Sequence, residues 1–134
     1  MKDRSKRLEK KILVAWNGRR EATRAVFDAL PLLKRAKEVK VIWIDPQSEG
    51  EEARHIPSAD ICAALARHGV KCEATEAVQP HANVGRTLLR SGLVYGADLL
   101  VMGCYGNSRM REYVFGGATD YVLRRMTIPV VMSH

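Results

Sequence analysis

Apolar and polar residues fall along this chain in blocks with two different periods. Ile12 to Trp16 is a continuous apolar run closed by Asn17 and Gly18, the pattern of a strand covered on both faces and ended by a turn. Glu21 to about Glu38 sets Ala22, Ala25, Val26, Ala29, Leu33 and Ala36 at the i, i+3, i+4, i+7 spacing of an amphipathic helix, and Pro31 inside that stripe predicts a kink or a restart. Val39 to Ile44 reads as a second strand, ended by Asp45-Pro46 and a polar loop from Gln47 to Arg54. Ser58 predicts the N-cap of a helix running through Arg67 and stopping at Gly69.

Val70 to Thr75 alternates strictly between apolar and polar, so one face is wet and the segment is an edge strand. Val84, Leu88, Leu89 and Tyr95 line the next helix. Leu99 to Met102 is again continuously apolar, a helix is expected from Ala118 to about Met126, and Ile128 to Met132 closes the chain as a fifth strand. Strands and helices thus alternate throughout, which predicts an α/β fold: an open, doubly wound, five-stranded parallel sheet of Rossmann-like type. With right-handed crossovers and the alternating strand at an edge, the expected order is 3-2-1-4-5. The winding then reverses between the first and fourth strands, and ligands in such sheets bind beyond the carboxyl ends of the strands at that point.

What lies there is glycine. Gly103 ends the fourth strand, Gly106 follows, and Gly116-Gly117 precedes Ala118-Thr119. Two readings stand at this stage. Backbone N–H groups exposed at glycines, together with the start of a helix near Ala118, can make a seat for phosphate, with Thr119, Arg109 and Arg111 close in sequence. The same glycines also fit ordinary turns and caps around a surface loop.

Composition narrows the classes. At 134 residues, 46% hydrophobic and 28% charged, the chain is one ordinary globular domain, expected to span residues 11–134 after a flexible basic leader of residues 1–10. The net charge of +7 is concentrated in the leader region, where Lys2, Arg4, Lys6, Arg7, Lys10 and Lys11 face only Asp3 and Glu9. A charged terminal tail is more often solvated than bound, so nucleic acid is not the expected partner. No apolar stretch reaches the length of a membrane span and no apolar core of a secretory signal is present, which makes the cytoplasm the expected compartment. Cys62, Cys72 and Cys104 have no metal-ligand spacing. Cys62 and Cys72 sit on apolar faces, whereas Cys104 lies in the glycine loop. His55, His68, His81 and His134 are scattered, and neither a carboxylate pair nor the Gly-Lys-Ser/Thr ending of a P-loop is found, so no catalytic residue is predicted and the chain reads as a binding module.

Gly103, Gly106 and Gly116 reproduce the spacing Gly, two residues, Gly, nine residues, Gly that marks nucleotide-binding universal stress proteins. Ile12-Leu-Val-Ala15, Ala97-Asp-Leu-Leu-Val-Met-Gly103 and Ile128-Pro-Val-Val-Met132 also resemble that family, and the resemblance covers Lys11 to His134. It implies the sheet of the UspA and adenine nucleotide alpha hydrolase-like proteins, a role in stress response, and ATP or AMP as ligand. By resemblance, adenosine lies near Ala15, Trp16, Asn17 and Ile44, and phosphates over Gly103, Gly106, Gly116, Gly117, Ala118 and Thr119. It also implies a homodimer through the last strand, residues 128–132. Two positions depart from the pattern: Gly117 stands where the signature has Ser or Thr, and Asn17 where nucleotide-binding members carry Asp. They keep open the alternative of a ligand-free UspA-type dimer that acts through protein contacts.

Overall fold

The computed structural model describes residues 10–18, 20–43, 57–75, 83–103 and 119–133. Five parallel strands, β1 (Lys11–Trp16), β2 (Glu38–Trp43), β3 (Glu73–Thr75), β4 (Leu99–Gly103) and β5 (Val130–Ser133), form one sheet in the order β3-β2-β1-β4-β5. This is the predicted order. The continuous apolar runs of β1 and β4 are central and the alternating β3 is at an edge, because only strands covered on both faces can be apolar throughout.

Helices α1 (Arg20–Asp28), α2 (Leu30–Arg35), α3 (Pro57–Arg67), α4 (Val84–Tyr95) and α5 (Tyr121–Arg125) complete the described chain. Pro31 does restart the first helical stretch: α1 ends at Asp28, and Pro31 sits in the first turn of α2, where a missing N–H costs nothing. The core is split by the sheet. On one face Ile12, Val14, Trp16, Val39, Val41, Leu99 and Val101 pack under α1, α2 and α3 through Ala22, Ala25, Val26, Leu33, Ile61 and Leu65. On the other, Leu13, Ala15, Ile42, Leu100 and Met102 pack under α4 and α5 through Leu88 and Val122. Right-handed crossovers require this division, since the connections running toward β3 and those running toward β5 must cover opposite faces.

Three elements are shorter than their sequence pattern or shifted. The ladder of β3 begins at Glu73 rather than Val70, because the Val70 N–H is used to cap α3, donating to the Leu65 carbonyl at 2.9 Å after Gly69 turns with φ +87°. In β5, pairing begins at Val130 instead of Ile128, and the Pro129 carbonyl accepts from the Leu100 N–H. The described part of the last helix starts at Tyr121 after a wide turn at Thr119 and Asp120, while Ala118, its predicted first residue, lies outside the described residues.

The end of the sheet away from the glycines is tied by polar contacts. The Lys11 N–H donates to the Asp98 carboxylate at 2.9 Å, and the Asp98 N–H to the Lys11 carbonyl at 2.8 Å, joining the starts of β1 and β4. Tyr95 at the end of α4 donates its hydroxyl to Glu38 at 3.0 Å, with the Lys11 and Lys40 ammonium groups 5.3 Å and 4.8 Å from its ring centroid. Burial, then the bond to Glu38 and nearby carboxylates, raises the Tyr95 hydroxyl above the usual tyrosine value. The folded state therefore holds this proton more tightly than the unfolded one, so its contribution is complete below about pH 10 and is lost as pH climbs beyond that. Tyr95→Phe keeps the ring and loses the bond; urea unfolding at pH 7 is expected to show a loss of about 1 kcal/mol or less.

Candidate functional site

The sheet reverses its winding between β1 and β4, which are neighbours paired Ile12 to Leu99, Leu13 to Leu100 and Val14 to Val101. Continuing that register by one and then two steps sets Ala15 beside Met102 and Trp16 beside Gly103, so the two strands end at the same level. Of the ten residues assigned to the site, Ala15, Trp16, Asn17 and Gly103 meet here. Ala15 and Trp16 are buried, and Asn17 and Gly103 are half-buried. Thr119 is buried just ahead of α5, whose Val122 belongs to the same apolar cluster as Ala15 and Met102. Both Asn17 and Thr119 already have an interaction partner. Ile44, Gly106, Gly116, Gly117 and Ala118 lie outside the described residues, as do Cys104, Arg109 and Arg111.

Local sequence explains this convergence. After Trp16 the chain turns through Gly18, at φ 77°, and α1 begins within two residues. That brings the first turn of α1 onto the end of β4. A Cβ built on Gly103 would lie 2.6 Å from the Glu21 carbonyl carbon and 2.7 Å from the Ala22 nitrogen. Gly103 is thus required by packing, a role that spacing alone did not reveal and that signals a close approach of two backbones.

A second feature also escapes the sequence. Trp16 is 7% exposed, and its Nε1–H is buried with no hydrogen-bond partner among the described residues. A buried donor without an acceptor is costly, and it fits a group that brings acceptor atoms to the end of β1. The purine and phosphates of an adenine nucleotide are such acceptors, so the residues on hand are compatible with that ligand.

Other chemistry is sparse. His68 follows α3 and meets Phe27 edge-to-face with ring centroids 5.5 Å apart, away from the strand ends; His55, His81 and His134 lie outside the described residues. Among the described residues no group of three or more His, Cys, Asp or Glu is placed to hold a metal ion, and no helix is long and apolar enough to cross a membrane.

Known proteins share this architecture. The fold matches protein MJ0577 with a TM-score of 0.73 at 20% identity, covering 94% of this chain and 96% of that one. It matches the universal stress protein UspA of Lactobacillus plantarum with a TM-score of 0.69 at 18% identity, covering 94% and 98%. A universal stress protein in complex with cAMP matches with a TM-score of 0.63 at 20% identity over 93% and 97%. In sequence, 34 residues are 53% identical to the universal stress protein Slr1230 of Synechocystis, a match covering 25% of this chain and only 12% of that protein. The model of the universal stress protein family matches residues 9–134, and with the sheet order and the strand-end glycine described above, the chain belongs to that family.

Proposed function

We propose that this protein is a stress-response binding module that holds an adenine nucleotide, ATP or AMP, over the loops after β1 and β4. The observation that carries the reading is the buried Trp16 N–H, without a partner among the described residues, at the β1–β4 switch point beside Gly103, the residue that opens the Gly103, Gly106, Gly116 spacing of nucleotide-binding relatives in the sequence. The cAMP complex of a relative with the same fold supports an adenine ligand. In this reading Ala15, Trp16, Asn17 and Ile44 take the adenosine. Gly106, Gly116, Gly117 and Ala118 present backbone N–H groups to the phosphates beside Gly103 and Thr119. Asn17 supplies an acceptor and two donors where an Asp supplies acceptors alone. When bound, the nucleotide contributes charge and shape rather than chemistry: the chain is assigned a binding role without turnover, in the cytoplasm, as one domain from residue 11 onward.

The assembly proposed is a homodimer through β5. The outer edge of β5 pairs with no described strand, and an open edge with Val130, Val131 and Met132 half-buried is a surface that proteins cover. Light scattering at micromolar concentration is expected to give twice the 15.0 kDa chain mass; the chain mass itself would contradict the dimer.

Two observations favour a second reading, in which the same dimer works without ligand. Gly103 is explained by its contact with α1, ligand or none, and Asn17 and Gly117 depart from the binding signature. A thermal melt with ATP, AMP and cAMP separates the readings. Nucleotide at 100 times its dissociation constant adds about 2.7 kcal/mol, a rise in midpoint of roughly 10 °C. No shift with any of the three at millimolar concentration would favour the ligand-free dimer.

A further inference from the structure

Two cysteines outside the candidate site face each other. Cys62 lies on the sheet-facing stripe of α3, next to Ile61 and one turn before Leu65, and Cys72 lies just ahead of β3. Glu73 pairs with Lys40, so the next step back sets Cys72 beside Val39, whose side chain points to the face that α3 covers. The heights agree as well. Cys62 is five residues above the end of α3 at Arg67, about 7.5 Å at helical rise, and Cys72 is two residues above Val70, about 6.6 Å at strand rise. The turn between them is closed by the Val70 to Leu65 bond, so both distances start from the same floor. Both cysteines are free, half-buried and packed on the same apolar cluster.

We propose that Cys62 and Cys72 are an oxidation site, forming an intramolecular disulfide on exposure to hydroperoxide that fastens the edge strand β3 to α3. Burial, followed by hydrogen bonding with the Cys62 side chain and the charge of Cys62, pushes Cys72 up to about 12. Cys72, so raised, is assigned the second step of the reaction and Cys62 the first. In the first step the Cys62 thiolate attacks a peroxide oxygen; the S–O bond forms, the O–O bond breaks, and hydroxide leaves to become water. In the second the Cys72 sulfur attacks Cys62; the S–S bond forms, the S–O bond breaks, and the departing hydroxyl takes the Cys72 proton as a second water. Two electrons pass from the sulfurs to the peroxide. Lys71 and Cys72 precede the paired residues of β3, which begin at Glu73.

The test uses the full chain, reduced, freed of reductant and treated with stoichiometric hydrogen peroxide. Trypsin cuts after Arg67 and Lys71, between the two cysteines, so the disulfide is read as two joined peptides. The expected result is loss of two of the three thiols, a Cys62–Cys72 linked pair in a monomeric chain on non-reducing electrophoresis, and full recovery with dithiothreitol. In Cys72→Ser, Cys62 is expected to accumulate as a sulfenic acid trapped by a cyclic dione. The proposal is overturned if Cys62 and Cys72 of the unsubstituted protein remain free thiols, end as unlinked sulfinic acids, or pair only with Cys104 or with another chain. Should Cys72→Ser not fold, the peptide map of the unsubstituted protein decides alone.

Discussion

Gly103→Ala is expected to lower the unfolding free energy by about 3 kcal/mol, the upper part of the overpacking range, although it adds a single methyl group. The atoms that this methyl meets are the Glu21 carbonyl carbon at 2.6 Å, the Ala22 nitrogen at 2.7 Å and the Glu21 Cβ at 2.7 Å. Two of the three are backbone, so no side-chain rotation relieves the contact. Relief needs α1 to move off the end of β4, and α1 is held on the sheet by Ala22, Ala25 and Val26, each no more than 3% exposed. Urea unfolding followed by circular dichroism checks this. An unchanged midpoint would mean that α1 and β4 do not approach as described.

Leu13→Ala is expected to cost a further independent amount, also about 3 kcal/mol. Leu13 is 1% exposed in the central strand β1, and its Cδ2 lies 3.9 Å from where a Cβ on Gly92 would stand, so α4 passes directly over it. Removing the isobutyl end leaves a cavity between sheet and helix that neither rigid element can fill. Leu93→Ala is the control: this residue, on the outer side of the same helix, is 80% exposed, and its truncation is expected to change stability by less than about 0.5 kcal/mol. With total stabilities of roughly 5–15 kcal/mol for such domains, the first variant should show a clearly shifted midpoint and the second should not.

Most of the fold was legible in the sequence because its strongest signals are one-dimensional. A strand covered on both faces has no polar positions to interrupt it, and β1 and β4 are such runs; β3 announces its edge position through alternation, and Pro31 marks the α1–α2 break. The features that escaped depend on residues far apart in the chain. Gly103 meets Glu21 only because the winding brings the end of β4 against α1, so its packing role has no local signature. Tyr95 fitted the inner stripe of α4, yet its hydroxyl reaches Glu38 across the lower edge of the sheet. Cys62 and Cys72 read as two separate apolar positions until the helix and the strand were seen to rise to the same height from one turn. Trp16 and Asn17 close an apolar run and were assigned to the site by resemblance, while the lack of a partner for the Trp16 N–H among the described residues is a property of three-dimensional packing alone.

The packing role of Gly103 also determines how the nucleotide reading is tested. A variant at Gly103 would lose binding by damaging the fold, so the obstruction belongs at Gly106, the next glycine of the spacing. The direct measurement is isothermal titration of ATP into the purified protein and into Gly106→Val, with circular dichroism to show that both are folded. Micromolar binding by the unsubstituted protein, absent from folded Gly106→Val, is the result predicted for a nucleotide seated over the loops after β1 and β4. No heat change up to millimolar ATP in the folded unsubstituted protein would contradict it.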